Sequence, residues 1–287
     1  MRLWKKPWVQ TPRATPLLAT CDLKLIFHLP FSLFLLTFHL MHSQKQMPKA
    51  VYFISDAHLG SGTEEKEKIK EKKLIDFLES IIPDAEALYI LGDLFEFWFE
   101  YKNAIPKEHF NVLIQLKKLI DSGIKIYYIT GNHDFWLGDF LPEKIGIQIC
   151  KEPLWVSHQG KKIYLTHGDG LAKKDRGYRI LKRILRNKTN IFLYRQIPSD
   201  IGIPSAKKVA RLSRSHTSQK EKSLEDYINF AKDKISEGFD AVIMGHIHQP
   251  TLQDFKSGIY LNTGDWFEHF SYGKLVDGKF LLETYES

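Results

Sequence analysis

The chain has 287 residues, and its 43% hydrophobic and 13% aromatic side chains exclude a polypeptide too polar to bury a core. Two cysteines, Cys21 and Cys150, are too few for a disulfide framework and fit a reducing compartment. The net charge of +7 is concentrated in two segments, with +5 in residues 1–46 and +11 in residues 171–236, so the rest of the chain is acidic. This distribution favours an anionic partner or substrate, such as phosphate, nucleic acid or an anionic membrane surface.

The most apolar run of the sequence extends from Leu25 to Leu40, behind several basic residues. It is shorter than the ~20 residues that span a bilayer, and histidines and a proline interrupt it. No small-residue cleavage site follows it, so export is the interpretation that it favours least. We expect residues 1–46 to be an N-terminal extension: either the true start is Met41 or Met47, or the run is a short membrane-associating segment.

Strands and helices alternate from residue 48 onward. Apolar, β-branched runs predict strands at residues 51–55, 87–91 and 124–129, and helical periodicity predicts helices at residues 64–80 and 107–122. Strands that alternate with helices predict a parallel sheet with helices on its faces.

The pattern changes after Gly146. Short strands are predicted at residues 147–150, 154–157, 162–166 and 241–244, and glycine-punctuated hairpins are predicted in residues 251–286. Residues 171–236 are predicted to be helical and basic. We therefore predict an α/β sandwich of two sheets in residues 47–287, with a basic helical cap inserted at about 171–236.

Five of the predicted strands end in polar residues beside glycine. The five motifs are Asp56-x-His58, Gly92-Asp93, Gly131-Asn132-His133-Asp134, His167-Gly168-Asp169 and Gly245-His246-x-His248. Each motif alone is as typical of a turn as of a site. Together they favour a site, because ligands of open α/β sheets bind outside the carboxyl ends of the strands, where these side chains would converge.

Side chains in these motifs are of the types that bind transition metals. The candidate ligands are Asp56, His58, Asp93, Asn132, His167, His246 and His248. Asp, Asn and His together suit Mn²⁺, Fe or Zn²⁺ better than Ca²⁺ or Mg²⁺, and we expect Mn²⁺ first. Seven ligands are too many for one ion and fit two ions that share a carboxylate. Two such ions activate water and neutralise phosphoryl oxygens in phosphate-ester hydrolysis.

The five motifs resemble those of the calcineurin-like metallophosphoesterases over about residues 48–287. Within that superfamily, the stretches GDLFEFW, HGDGLAKKDRGY and the late GDW are most similar to the UDP-2,3-diacylglucosamine hydrolases. Those are bacterial enzymes of lipid A biosynthesis, cytoplasmic and peripheral on the inner membrane, which split a UDP-linked diacyl sugar into UMP and a lipid monophosphate. The resemblance implies a four-layer α/β/β/α sandwich, that UDP-linked acylated sugar as substrate, and an anionic membrane surface as partner.

The resemblance also assigns roles to the motif residues. Asp93 would bridge two ions; the first would also be held by Asp56, His58 and His248, and the second by Asn132, His167 and His246. It implies that His133 stabilises charge or protonates the leaving group and that Asp134 orients His133. His133 stands where the lipid A hydrolases typically carry arginine.

The basic insertion bears on the substrate. Its first part combines an apolar stripe with cations, which is typical either of a membrane-facing cap that holds acyl chains or of an amphipathic helix packed on the domain. The resemblance places substrate contacts at Asp175, Tyr178, Arg214, Ser215 and Lys222.

Two alternatives stay open from the sequence. One is another phosphoesterase, acting on nucleotides, dinucleoside polyphosphates or nucleic acid; the cationic segment could contact a nucleic-acid backbone, but it lacks interleaved aromatic residues for stacking bases. The other is an inactive binding scaffold, which predicts lost ligands, whereas all seven are present. We expect no obligate protein partner.

Overall fold

The computed structural model describes residues 49–286 except 151, 173–175 and 218–223, and it leaves out the side chains of residues 176 and 209–217. The prediction for residues 1–46 therefore lies outside the described residues. So do Asp175, Lys222 and the side chains of Arg214 and Ser215, and their proposed substrate contacts stay predictions.

The first sheet has six strands in the order β11-β10-β1-β2-β3-β4. Its parallel part consists of β1 (Ala50–Ile54), β2 (Ala85–Ile90), β3 (Lys125–Ile129) and β4 (Gln148–Cys150). The hairpin of β10 (Ser271–Val276) and β11 (Lys279–Thr284) adds antiparallel to β1. All five residues of β1 are buried, as expected for a strand covered on both faces.

Two helices cover the outer face of this sheet. They are α1 (Glu64–Ser80), with three glutamates in its first turn, and α2 (Phe110–Asp121). Acidic residues at a helix start complement the helix dipole. In α2, Val112, Leu116 and Leu119 are fully buried, at the spacing that places side chains on one helix face.

The second sheet has five strands in the order β5-β6-β7-β9-β8. They are β5 (Leu154–His158), β6 (Lys161–Leu165), β7 (Ala241–Met244), β8 (Thr251–Phe255) and β9 (Gly258–Asn262). The inner faces of the two sheets share one apolar core, in which Val51 and Phe53 pack with Leu165 and Ile243. Residues 224–236 cover the outer face of the second sheet, so the four layers are helix, sheet, sheet and helix, which confirms the predicted fold.

Among the residues that the structure describes, the predicted helical insertion consists of four helices with short connections between them. It comprises α3 (Arg176–Leu185), α4 (Lys188–Arg195), α5 (Ser199–Thr217) and α6 (Leu224–Ser236). Tyr227, Ala231 and Ile235 of α6 pack against the second sheet, so α6 is a layer of the sandwich and α3–α5 form the cap. Within the described ranges, every helix is too short or too polar to cross a bilayer.

Candidate metal centre and active site

All five polar motifs meet at the carboxyl ends of β1, β2, β3, β6 and β7. The loops after these strands are joined by backbone hydrogen bonds: Asp56 N donates to the Gly92 carbonyl at 3.1 Å, and His58 N donates to the Asp93 carbonyl at 2.9 Å. The convergence that the sequence predicted is therefore present in the fold.

Several candidate ligands have a left-handed backbone. The φ angle is positive at Asp56, His58, Asp93, His246 and His248, with values from 45° to 72°. This conformation costs a non-glycine residue about 1–2 kcal/mol, and it persists only where the surrounding structure enforces it. Strain at five positions of one cluster is typical of a functional site.

The first group of donors consists of Asp56, His58, His248 and the carboxylate of Asp93. His248 Nε2 lies 3.2 Å from Asp56 Oδ1 and 3.3 Å from His58 Nε2. His58 Nε2 lies 3.7 Å from Asp93 Oδ2. Both aspartates and His58 are buried, so their donor atoms converge away from bulk water.

The second group consists of Asn132, His167, His246 and the same Asp93. His167 Nε2 lies 3.4 Å from Asp93 Oδ2, 3.1 Å from Asn132 Oδ1 and 3.2 Å from His246 Nδ1. Asp93 is thus shared by two adjoining donor groups, as a carboxylate between two cations would be.

The outward hydrogen bonds of two histidines orient their rings for ligation. His167 Nδ1 lies 2.7 Å from the Leu91 carbonyl, and His58 Nδ1 lies 3.0 Å from the Glu96 carboxylate. Both partners are acceptors, so Nδ1 carries a proton in each ring, and Nε2 is the nitrogen that faces the cluster. A ligating histidine is usually held in this way by a partner of its other nitrogen. The residues present therefore fit a pair of divalent ions.

The electrostatics of the cluster also fit a site for divalent cations. Burial raises the pKa of Asp93, but His167 and His133 lower it more, so that it lies well below its usual range. Burial lowers the pKa of His167, but Asp93 raises it more, to about 10. Ligands must lose their protons when a metal binds, so His167 would release a proton if it held a cation.

His133 lies beside the first donor group, and its ring contacts Glu96. Its Nδ1 is 3.1 Å from the Glu96 carbonyl and 3.6 Å from the Glu96 carboxylate. The Asp134 carboxylate instead accepts hydrogen bonds from the Tyr128 hydroxyl and the Gly131 N–H. Asp134 therefore holds the loop and Glu96 contacts the ring of His133, and a role of Asp134 in orienting His133 stays a prediction.

Glu96 is the functional residue that sequence reasoning missed. It is 1% exposed and contacts both His58 and His133. Its signal was present in the stretch GDLFEFW, where an acidic residue stands inside an apolar run that the fold buries. A buried charge without a partner is costly, so such a residue calls for a polar partner.

Tyr178, a predicted substrate contact, is tied to the protein. Its hydroxyl donates to Asp169 Oδ2 at 2.5 Å, and Lys182 Nζ lies 2.9 Å from the other Asp169 oxygen. Asp169 itself follows His167 by two residues, so these contacts dock α3 onto the loop that carries a candidate ligand.

Comparisons with known proteins agree with this geometry. Residues 49–250 match the calcineurin-like phosphoesterase family. A UDP-2,3-diacylglucosamine hydrolase from Porphyromonas gingivalis is 32% identical over 84% of this chain and 99% of its own length. Enzymes of the same name from Aeromonas salmonicida and Haemophilus influenzae are 34% and 30% identical, over 76% and 78% of this chain and 87% and 93% of their own lengths. The chain therefore belongs to the calcineurin-like phosphoesterase family, as a metal-dependent hydrolase related to the UDP-2,3-diacylglucosamine hydrolases.

Proposed function

We propose that this chain hydrolyses the pyrophosphate of UDP-2,3-diacylglucosamine, giving UMP and 2,3-diacylglucosamine 1-phosphate. The observation that carries the proposal is the pair of donor groups sharing Asp93, directly beside a cap that is both cationic and apolar. The relatives named UDP-2,3-diacylglucosamine hydrolase align over most of their length, so the alignment extends over both the cap and the metal centre.

The donor set favours Mn²⁺ in both positions. Imidazole nitrogens, carboxylate oxygens and one amide oxygen suit Mn²⁺, with Fe and Zn²⁺ as the other candidates. When bound, the two ions would activate water and neutralise the phosphoryl oxygens of the attacked phosphate.

The protein's own side chains supply the rest of the chemistry. Glu96 fixes the ring of His133 through its Nδ1, and we assign to the Nε2 of His133 the hydrogen bond to a phosphoryl or leaving-group oxygen. A positioned histidine of this kind stabilises developing charge or transfers a proton. The loop contacts of Asp134 hold Asn132 and His133 in place.

The lipid part of the proposal rests on the surface of the cap. Seven of its large apolar side chains are exposed: Ile180, Leu181, Ile184, Phe192, Leu193, Ile197 and Ile201. Exposed apolar side chains clustered in this way, with cations around them, favour contact with acyl chains and with the surface of an anionic membrane. We accordingly propose a cytoplasmic enzyme that works peripherally on the inner membrane.

The test is release of UMP from UDP-2,3-diacylglucosamine by protein that begins at Met47, with Mn²⁺ present. Bis-p-nitrophenyl phosphate and ADP-ribose serve as comparison substrates that lack acyl chains. UMP release from the lipid much faster than turnover of the two soluble compounds is the expected result. Hydrolysis of the soluble compounds alone would refute the lipid substrate and leave a phosphoesterase of nucleotides or diesters.

A further inference from the structure

Four cations lie along one face of α3 and the residue that follows it. Arg179, Lys182 and Arg183 of α3 and the adjoining Arg186 have the spacing i, i+3, i+4, i+7, which places side chains on the same side of a helix. Together with Asp169 and Gly170 they line a cavity of about 480 Å³.

The orientation of α3 is the reverse of that of an ordinary surface helix. A helix normally turns its apolar stripe to the protein and its charges to water. In α3 the apolar residues Ile180, Leu181 and Ile184 are 47–60% exposed. Arg179 and Arg183 are exposed as well, whereas Lys182 and Arg186, the residue after the helix, are partly buried towards the loops of the metal centre. Two cations held inward while apolar side chains stay exposed favour an anionic ligand.

The positive charge of the cavity is only partly neutralised by the protein. Asp169 also lines it, but its oxygens accept from Lys182 Nζ and Tyr178, and Lys182 Nζ lies 3.4 Å from Glu152 as well. Among the described residues, no carboxylate lies within ion-pair distance of the three arginines 179, 183 and 186. The Nε atom of Arg186 is buried and has no hydrogen-bond partner among the described residues.

The cavity borders the second donor group. Arg186 Nη2 donates to the Gly131 carbonyl at 3.0 Å, and Gly131 directly precedes Asn132. On the other side, Asp169 follows His167 by two residues. Arg186 and the loop of Asp169 therefore place this cavity beside Asn132 and His167.

We propose that this cavity binds the phosphate of the substrate's pyrophosphate that is not attacked. A pair of metal ions clamps the oxygens of the phosphorus that reacts, so a second phosphate with its own charge requires separate donors. Guanidinium groups match phosphate oxygens in a two-pronged geometry and remain charged at any working pH. The inference rests on the proposed pyrophosphate hydrolysis and does not depend on the acyl chains.

Arg183→Gln and Arg186→Gln test the cavity, and Lys188→Gln is the matched control. Arg183 is exposed and makes no hydrogen bond to the described protein groups, so its loss leaves the fold intact. Lys188 lies on the same cap, outside the cavity, and its substitution removes the same charge. The measurement is competitive inhibition of bis-p-nitrophenyl phosphate hydrolysis by UDP-glucose, a soluble pyrophosphate, and by UMP, which has one phosphate.

The expected result is an inhibition constant for UDP-glucose that rises about tenfold in each arginine variant, as the loss of one charge-assisted hydrogen bond predicts. The constant for UMP should change much less, and Lys188→Gln should match the wild type for both inhibitors. Equal weakening of UDP-glucose and UMP, unchanged UDP-glucose inhibition in both variants, or no inhibition of the wild type by UDP-glucose would overturn the inference. The assay needs no turnover of UDP-2,3-diacylglucosamine, so failure of the lipid proposal is seen separately.

Discussion

Asp93 is the residue on which both donor groups depend, because its Oδ2 lies 3.4 Å from His167 and 3.7 Å from His58. All seven candidate ligands could be predicted from the sequence, since each follows a buried strand whose carboxyl end must lie at the same edge of the fold. The role of Glu96 could not be predicted, because the histidines that it contacts, His58 and His133, belong to other loops. The contacts of the Asp134 carboxylate with Tyr128 and Gly131 could not be predicted either, because adjacency in sequence does not give the direction of a side chain.

Glu96→Gln should weaken metal binding or activity by about 10–100-fold, which is the usual effect of losing the partner of a ligating histidine. The carboxylate accepts from His58 Nδ1 at 3.0 Å and lies 3.6 Å from His133 Nδ1, and the substitution removes its charge from both contacts. The hydrogen bond of His133 to the Glu96 backbone carbonyl is kept, so the loss acts mainly through His58. Bound Mn²⁺ and the rate of diester hydrolysis would be measured together. Glu86→Gln, at a half-exposed position away from the centre, is the control, and wild-type behaviour of Glu96→Gln would contradict the positioning role.

Gly131→Ala should abolish metal binding at the second donor group. A Cβ at Gly131 would overlap the Asp93 carboxylate and its backbone nitrogen, so the shared ligand must move. Gly177→Ala meets no atom within 4 Å and is the matched control. Metal content and circular dichroism distinguish loss of the site from loss of the fold. A folded Gly131→Ala protein with full metal content would contradict the prediction, because it would show that the loop accommodates a Cβ at this position.

At the scale of elements, most strands and helices begin and end within one or two residues of their predicted bounds. Their buried apolar runs and helical periodicity are local signals, which tertiary packing reinforces here. The orientation of α3 could not be predicted, because its apolar stripe is equally compatible with packing on the domain. The structure turns Ile180 and Ile184 outward instead.

Ile184→Asn combined with Phe192→Asn should reduce binding to anionic phospholipid vesicles and raise KM for the lipid substrate by about tenfold or more. Both side chains are more than half exposed, so their replacement removes apolar contact area without disturbing a core. Vesicle co-sedimentation and KM for the lipid substrate would be measured, and hydrolysis of bis-p-nitrophenyl phosphate would check that the centre is intact. Phe110→Asn, equally exposed but on α2, is the control; unchanged vesicle binding in the double variant would contradict a membrane-facing cap.

At the scale of the whole molecule, the two-sheet sandwich was predictable from the change of pattern after Gly146, where alternating strands and helices give way to short strands and hairpins. The apolar faces of β1 and β7 bring the two sheets together, and at the carboxyl ends of these strands the His246 N–H donates to Asp56 Oδ2 at 2.7 Å. The charge pattern of the sequence predicted an anionic partner or substrate, whereas the position of the arginines beside the centre could be seen only in the fold.

The stability of the sandwich should fall as the pH drops from about 6.5 to about 4. His109 is 4% exposed between Phe95 and Gly60, and burial lowers its pKa to about 4. The unfolded chain then takes up a proton in this range that the folded chain does not, which costs the fold on the order of 3 kcal/mol below pH 4. Urea unfolding from pH 8 to pH 4 measures the free energy of unfolding across this range. The free energy of a His109→Phe variant should depend less on pH, and an equally strong dependence would show that other groups cause it.

The number of Mn²⁺ ions bound per chain tests the shared-ligand centre most directly. Equilibrium dialysis of the protein that begins at Met47, followed by elemental analysis, should give two ions per wild-type chain. Asp93→Asn should bind both ions much more weakly and lose hydrolysis, because the bridging carboxylate serves both donor groups. One ion or none in the wild type, or two ions and full activity in Asp93→Asn, would contradict a dinuclear centre.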